Sequence, residues 1–293
     1  MIKLLKNVSI ILLIILTIIK RPTITTAIIE AINIWITNIF PALFPILIIS
    51  DLIISSNLIN NITDVIGPVF SKIFKVSKYS SYVFIMSLLS GCPSNAKYTK
   101  DLLDFNLITK EEAIKILSMS LLYNPILILT ITGYLNKNDT WFIILTNILI
   151  NLIIGLINRR YYCQIKDEKK MLSRNFNLIN SISKTIDTLM LVLGSLVLFI
   201  ALSSLISYDH PLLDGIFEIT NGIKENFFIE NYNYQLLFTG ILMSFGGLSI
   251  QTQIKSILKD YKLEYSLFYK SRIIHLILFI LILQLKVIFS IIS

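Results

Sequence analysis

The feature that constrains this chain most is a set of long windows without Asp, Glu, Lys or Arg. They are Asn7–Ile19, Ala31–Ser50, Tyr79–Ala96, Ile116–Asn136, Thr140–Asn158, Thr188–Tyr208, Asn231–Ile254 and Ile273–Leu285. A helix needs about 20 apolar residues to cross ~30 Å of hydrocarbon. Eight such windows in 293 residues leave too little charge to cover a water-soluble globule. Charged residues make up 15% and mean hydropathy is +0.75, against roughly 25% charged in an ordinary soluble domain. The expected fold class is all-α: a polytopic integral membrane protein with about 6–8 membrane segments. The lipid bilayer is its first partner.

Met1–Ile19 spans if Lys3 and Lys6 snorkel to the interface. Lys20 and Arg21 follow with no small-residue cleavage site, so this window reads as an uncleaved span. The last window extends to Ser293 if Lys286 meets an interface or faces protein. Net charge of +8 reads as Lys and Arg in cytoplasmic loops, and no nucleic-acid motif accompanies it. Cys92 and Cys163 form neither a disulfide framework nor a metal-ligand spacing. No cofactor is expected.

Two windows are interrupted. Tyr79–Ala96 contains Ser90-Gly91-Cys92-Pro93-Ser94-Asn95, and Asn231–Ile254 contains Phe245-Gly246-Gly247-Leu248-Ser249. Pro removes a backbone donor and disfavours helix before it, and Gly admits conformations closed to other residues. Interrupted backbone at membrane depth survives where it is buried in protein or lines a wet cavity. One interruption in each half of a chain points to a transporter's central site.

Residues 158–175 form a basic loop with Arg159, Arg160, Lys166, Lys169, Lys170 and Arg174, which the positive-inside rule makes cytoplasmic. It divides the chain into an N-terminal membrane half, 1–157, and a C-terminal half, 176–293, expected to be pseudo-repeats with broken or re-entrant helices. Lys97, Lys100, Lys110 and Lys115 then lie inside. Lys72, Lys75 and Lys78 do so as well if the first interrupted segment dips in and returns. Residues 209–230, with one Lys and five acids, lie outside. For the second interrupted segment two arguments conflict. The cations at Lys255–Arg272 ask for a crossing, whereas an inverted repeat asks for a re-entrant segment from outside.

No HExxH, GxSxG or P-loop pattern occurs, and Cys92 and His275 are the only candidate catalytic groups, so no enzyme is expected. His275 reads as a packing residue, and Arg272 as an interfacial anchor or an anion ligand. Ser90, Ser94, Asn95 and Lys97 cluster at the first interruption, and Ser249, Gln251 and Gln253 follow the second. Unwound backbone and the helix N-terminus after it can hold a small anion or a polar ring, while Ser and Asn there also cap helices. Lys97 adds charge if it faces the cavity. Asn124 precedes Pro125 inside an apolar run and can satisfy freed backbone or face a ligand. A carboxylate facing a membrane cavity is a cation or proton site, and one at the boundary is solvated. Asp51 reads as the boundary case. Glu218, before Thr220-Asn221-Gly222, is open between the two. Trp35, Pro41 and Pro45 mark an interfacial helix turning into a span, with Trp35 as the anchor.

The ordered set WITNIFPALFP (35–45), SGCPSNAK (90–97), ITKEE (108–112), Asn124-Pro125, EITNG (218–222), SFGGLSIQTQ (244–253) and RIIH (272–275) resembles the sporulation integral membrane protein YlbJ (SpoVV) family. That family carries the nucleoside-recognition gate module. Gly91, Pro93, Ala96 and Lys97 match its first core motif, with Cys92 in place of an aromatic and Asn95 in place of a second Gly. Gly246, Gly247, Ser249 and Gln251 match the second motif. The resemblance implies a spore-former's membrane transporter linked to dipicolinate movement, with a homo-oligomer or other spore membrane proteins as partners. The expected function is a permease for a small polar or anionic solute. A nucleoside-type transporter and a non-transporting scaffold in spore assembly stand as alternatives. The expected substrate-binding residues are Ser90, Gly91, Pro93, Ser94, Asn95, Lys97, Asn124, Glu218, Thr220, Gly246, Gly247, Ser249 and Gln251.

Overall fold

A computed structural model describes residues 2–56, 58–166, 176–206 and 210–292. Of the basic loop, Asp167, Glu168, Lys169, Lys170 and Arg174 lie outside the described residues, as do Tyr208, Asp209 and the side chains of Lys3 and Lys6. The described residues form helices joined by short irregular segments, without strands. The helices are α1 (Ile2–Ile19), α2 (Arg21–Ile34), α3 (Phe40–Ser55), α4 (Leu58–Phe74), α5 (Ser80–Ser90), α6 (Ser94–Asp104), α7 (Lys110–Met119) and α8 (Pro125–Ile131). They continue with α9 (Lys137–Ile157), α10 (Leu178–Leu205), α11 (Pro211–Phe217), α12 (Ile219–Asn226), α13 (Tyr232–Phe245), α14 (Gly247–Ile257) and α15 (Ser266–Ile292).

The starts of these helices are written in local chemistry. Thr109, Asn136, Asn177 and Asn231 each accept a first-turn backbone N–H, and Pro125 and Pro211 stand at first positions, where their missing N–H costs nothing. Among the described residues, four stretches are long and apolar enough to cross a membrane: Arg21–Ser55, Lys137–Arg160, Leu178–Leu205 and Ser266–Lys286. The first joins α2 to α3 through a π-helical turn, Trp35–Ile39. Trp35 is therefore inside one continuous helix. It is buried, and its indole Nε1 donates to Leu189 O at 3.1 Å on α10. The expected interfacial anchor is a helix–helix contact, because the Pro that suggested a turn sits where a π turn absorbs it.

One order of elements recurs. A long helix (α2–α3, then α10) precedes a helix–break–helix hairpin (α5–α6, then α11–α12), with α4 inserted between them in the first half alone. A helix in two pieces comes next (α7–α8, then α13–α14), and a long helix ends the set (α9, then α15). The hairpins enter from opposite ends. At the basic end, Ser80 at the start of α5 donates to Glu112 at 2.7 Å, and Lys166 beyond α9 donates to Asn106 O, just past α6, at 3.2 Å. At the other end, Asn226 closing α12 donates to Tyr134 Oη at 3.0 Å, and Tyr232 opening α13 donates to Asp139 at 2.5 Å. Lys100 on α6 and Asp260 just beyond α14 lie 3.7 Å apart, so α13–α14 runs from the outer end to the basic end.

The segment containing Gly246 runs from one end of the bundle to the other, the direction its trailing cations ask for. The helix–break–helix hairpin of the second half is residues 211–226, where an inverted repeat asks for a re-entrant segment. The Gly91 break and the Gly246 break are not counterparts: by position, the Gly91 tip matches Glu218, and residues 120–124 match Gly246-Gly247.

Candidate functional site

All four interruptions meet. At the first hairpin tip, Cys92 N donates to Leu122 O at 2.8 Å and Asn124 Nδ2 donates to Leu89 O at 3.1 Å. Gly91 has φ 79° and ψ −178°, and a Cβ there would lie 2.6 Å from Asn124 N. Only glycine permits both the conformation and the approach. At the second tip, a Cβ on Gly247 would lie 3.2 Å from Ile219 N and 3.3 Å from Gly215 O. Tyr123 Oη bridges the two halves by donating to Met243 O at 2.8 Å.

Unwinding at 120–124 leaves carbonyls that need donors. Leu122 O takes Cys92 N, and Leu121 O takes Asn151 Nδ2 at 3.1 Å. Ser118 O takes Arg272 Nη2 at 2.7 Å, and Arg272 also reaches Asn151 Oδ1 at 3.1 Å. Arg272 is thus neither an interfacial anchor nor a cavity residue. It is 4% exposed and braces the broken helix from behind. His275 is likewise buried, with Nδ1 2.9 Å from Ser244 Oγ and Nε2 3.2 Å from Asn147 Nδ2.

Three of the breaks line one cavity of about 70 Å³, and α14, which follows the fourth, reaches it through Ile250 and Gln253. Five of the expected residues face it: Ser90, Pro93, Asn124, Glu218 and Thr220. Across it stands Asn38 from the π turn. Asn38, Ile39, Leu127, Ile131 and Thr220 also line a cleft of about 500 Å³ that continues toward Tyr134 and Phe227 at the outer end. The central cavity therefore has room for a few waters and an approach from one side. None of its lining side chains is cationic, and Glu218 is its one carboxylate.

Glu218 is buried and caps α12, accepting from Thr220 N at 2.6 Å and Asn221 N at 3.0 Å, with Thr220 Oγ1 as a further partner. Asn124 does the same for α8, accepting from Ile126 N at 2.8 Å. The first-turn donors of α8 and α12 are thus taken by the protein's own caps, whereas α6 and α14, the helices that follow the two interruptions read from the sequence, start without a side-chain cap.

The remaining expected residues lie off the cavity. Gly91, Gly246 and Gly247 shape the breaks. Ser94 is buried in the first turn of α6. Asn95 Oδ1 accepts from Ala96 N at 2.9 Å and Nδ2 donates to Ser120 Oγ at 3.3 Å. Ser249 accepts from Gln253 Nε2 at 3.0 Å, and Gln251 Nε2 donates to Phe245 O at 3.2 Å. Lys97 is paired with Asp51 and with Asp101, the latter at 2.7 Å, toward the basic end. Asp51 also accepts from Ser181 Oγ at 2.6 Å. Asp51 is therefore not a solvated boundary residue, and the charge of Lys97 is matched outside the cavity: one helical turn separates Lys97 from Asp101, which draws it down the stem of the hairpin.

Sequence reasoning missed Asn38 and Tyr123 as lining residues, and placed Cys92 and Gln253 at the breaks without counting them among the binding residues. Asn38 carried a signal, being a polar residue three positions before Pro41 in a charge-free window. Tyr123 carried none beyond standing next to Asn124-Pro125.

No family model matches the chain, and no solved structure matches it. Among curated proteins the chain is similar to the sporulation integral membrane protein YlbJ of Bacillus subtilis (strain 168). The two are 25% identical over 299 aligned residues, taking in 83% of this chain and 72% of that protein. With its four apolar crossing helices the chain is an integral membrane protein, and the similarity supports the YlbJ-family assignment that the ordered motifs imply.

Proposed function

We propose that the chain is a transporter for a small polar or anionic solute, and not an enzyme. The observation that supports this is the meeting of four backbone interruptions, two from each half, around one cavity that three of them line and that is reached from one end. Such a site lets one half rock against the other around a fixed solute. In this reading the outer cleft is the open side. The basic end is closed by Lys97 with Asp51 and Asp101, and by the Ser181–Asp51 hydrogen bond between the halves.

The family resemblance adds dipicolinate and the forespore membrane. Dipicolinate is a dianion, and the cavity offers it Glu218 and no cation. Two like unit charges ~4 Å apart at an effective dielectric of ~20 repel by about 4 kcal/mol, roughly a thousandfold in affinity. We therefore take the anion to enter with a proton or a cation that neutralises Glu218.

The test is uptake of labelled dipicolinate into vesicles holding the purified chain, across a cation series. Wild type is expected to show cation- or proton-dependent uptake, and Glu218→Gln to lose that dependence while remaining folded. Folded protein that moves neither dipicolinate nor any of a panel of nucleosides and dicarboxylates would sink the transporter reading.

A further inference from the structure

A second pocket lies at the basic end, away from the central cavity. It has a volume of about 630 Å³, between α4 and the start of the loop after α9. Its lining carries four cations, Lys72, Lys75, Lys78 and Arg159, against one carboxylate, Asp64, a surplus of 4 − 1 = 3 positive charges. Asp64 is committed to Lys78 at 2.6 Å. Lys72, Lys75 and Arg159 have no ion pair among the described residues. Arg159 Nη2 donates to Lys72 O at 3.2 Å, and Lys115 Nζ holds Lys75 O at 3.0 Å, so the cationic side chains project from a fixed backbone.

The pocket wall also holds hydroxyls that lack partners. Ser77 is 5% exposed, and its Oγ has no hydrogen-bond partner; Ser71 Oγ, also in the lining, is in the same condition. A buried polar atom left without a partner is costly, and each one calls for an explanation. Ser77 N donates to Glu112 Oε1 at 2.6 Å, which fixes the residue in the pocket wall. Surplus positive charge together with unpartnered hydroxyls matches a phosphate group, which accepts from both.

Beside the pocket runs an apolar stripe. Val65, Val69 and Ile73 each follow a pocket residue or its neighbour on α4, are turned about 100° from it by the helix, and are all exposed. A phosphate seated in the pocket thus has a hydrocarbon-facing surface next to it. We propose that this pocket binds the phosphate headgroup of an anionic lipid from the cytoplasmic leaflet, with the acyl chains along the Val65–Ile73 face of α4. Basic pockets between membrane helices at that leaflet bind such headgroups.

The experiment is native mass spectrometry of the full chain in detergent with equal amounts of phosphatidylglycerol and phosphatidylcholine, with and without inorganic phosphate. Wild type is expected to retain phosphatidylglycerol in preference. The exposed double substitution Lys72→Gln with Lys75→Asn is expected to weaken that preference by about tenfold. Lys75 has φ 52°, a region Asn tolerates. Lys255→Gln with Lys259→Gln, a cation pair elsewhere at the same end, should leave the preference intact. Equal retention of the two lipids by wild type, or a preference untouched by the pocket substitution, overturns the proposal. Inorganic phosphate occupying the pocket while phosphatidylglycerol does not would overturn the lipid source.

Discussion

The two hairpins have the same shape and opposite distributions of charge. In α5–α6 the tip, Gly91-Cys92-Pro93, is neutral, and the charge lies down the stem, where Lys97 is buried between Asp51 and Asp101. In α11–α12 a carboxylate stands at the tip, as Glu218; in the stem the buried Asp214 accepts from Ser203 Oγ on α10, and the cation Lys224 forms an exposed pair with Glu30. The glycines are exchanged in the same way. The first hairpin carries its own positive-φ residue, Gly91, and faces a break at 120–124 that has none. The second turns at Glu218 in ordinary extended backbone, φ −145°, and faces Gly246-Gly247. One geometry is thus built by two solutions. The first hairpin is anchored to its surroundings, and the second presents an ionisable group to the cavity.

The largest expected effect comes from breaking the anchor. Lys97→Met leaves two largely buried carboxylates without their cation, and removing one partner of a buried ionic group costs about 3–5 kcal/mol. Unfolding in mixed detergent should show that loss. The triple substitution with Asp51→Asn and Asp101→Asn should recover most of it, since removing all the charges together leaves none uncompensated.

Next in size is the glycine exchange. Gly91→Asn should cost about 2–4 kcal/mol and abolish uptake, because its φ 79°, ψ −178° region admits almost only glycine and Asn124 N leaves no room for a Cβ. Gly246→Asn should cost about 1 kcal/mol or less. Its φ 81°, ψ 6° is left-handed helical, which Asn tolerates, and the nearest atom to a new Cβ is the mobile end of Leu121 at 3.1 Å. Similar losses for the two variants would show that the hairpins' turns are not built differently.

Much of this architecture was legible from residues. Four of the eight charge-free windows fall in the stretches long enough to cross, and Pro and Gly marked three of the four interruptions. The cations after Gln253 pointed along the direction that α13–α14 takes between the two ends, when the symmetry argument pointed elsewhere. The Glu218 tip was harder to read. Residues 209–230 are too polar to register as a membrane segment, and the turn needs neither positive φ nor Pro at its apex. The partnership between breaks was also hidden, since helix periodicity says nothing about which interruption faces which. Lys97 misled for a physical reason. A cation beside a membrane break reads as a ligand for an anion until its long stem is seen to reach Asp51, 46 residues earlier in the chain.

A smaller pair of substitutions sharpens the comparison of the breaks that face the hairpins. Asn151 holds Leu121 O and meets Arg272, so Asn151→Leu orphans a buried carbonyl and one guanidinium contact, at a cost of about 2 kcal/mol. Gln251 makes a single 3.2 Å bond to Phe245 O, and Gln251→Leu should cost about 1 kcal/mol. Equal costs would mean that the glycine-built break depends on side-chain bracing as much as the other does.

The smallest effect tests the second stem. Lys224 and Glu30 are both exposed, and an exposed ion pair contributes about 0–1 kcal/mol, less as salt rises. Lys224→Gln should therefore leave the unfolding midpoint nearly unchanged at physiological ionic strength, with any loss disappearing in high salt. Lys224 also lines the outer cleft, so its removal takes a positive charge from the path to the cavity. An anionic solute should then enter more slowly at low salt, with maximal uptake rate preserved, while a neutral solute should be unaffected. A large stability loss at Lys224 would mean that the second hairpin is anchored by its stem as the first is, and that the division between an anchoring hairpin and a chemical one does not hold.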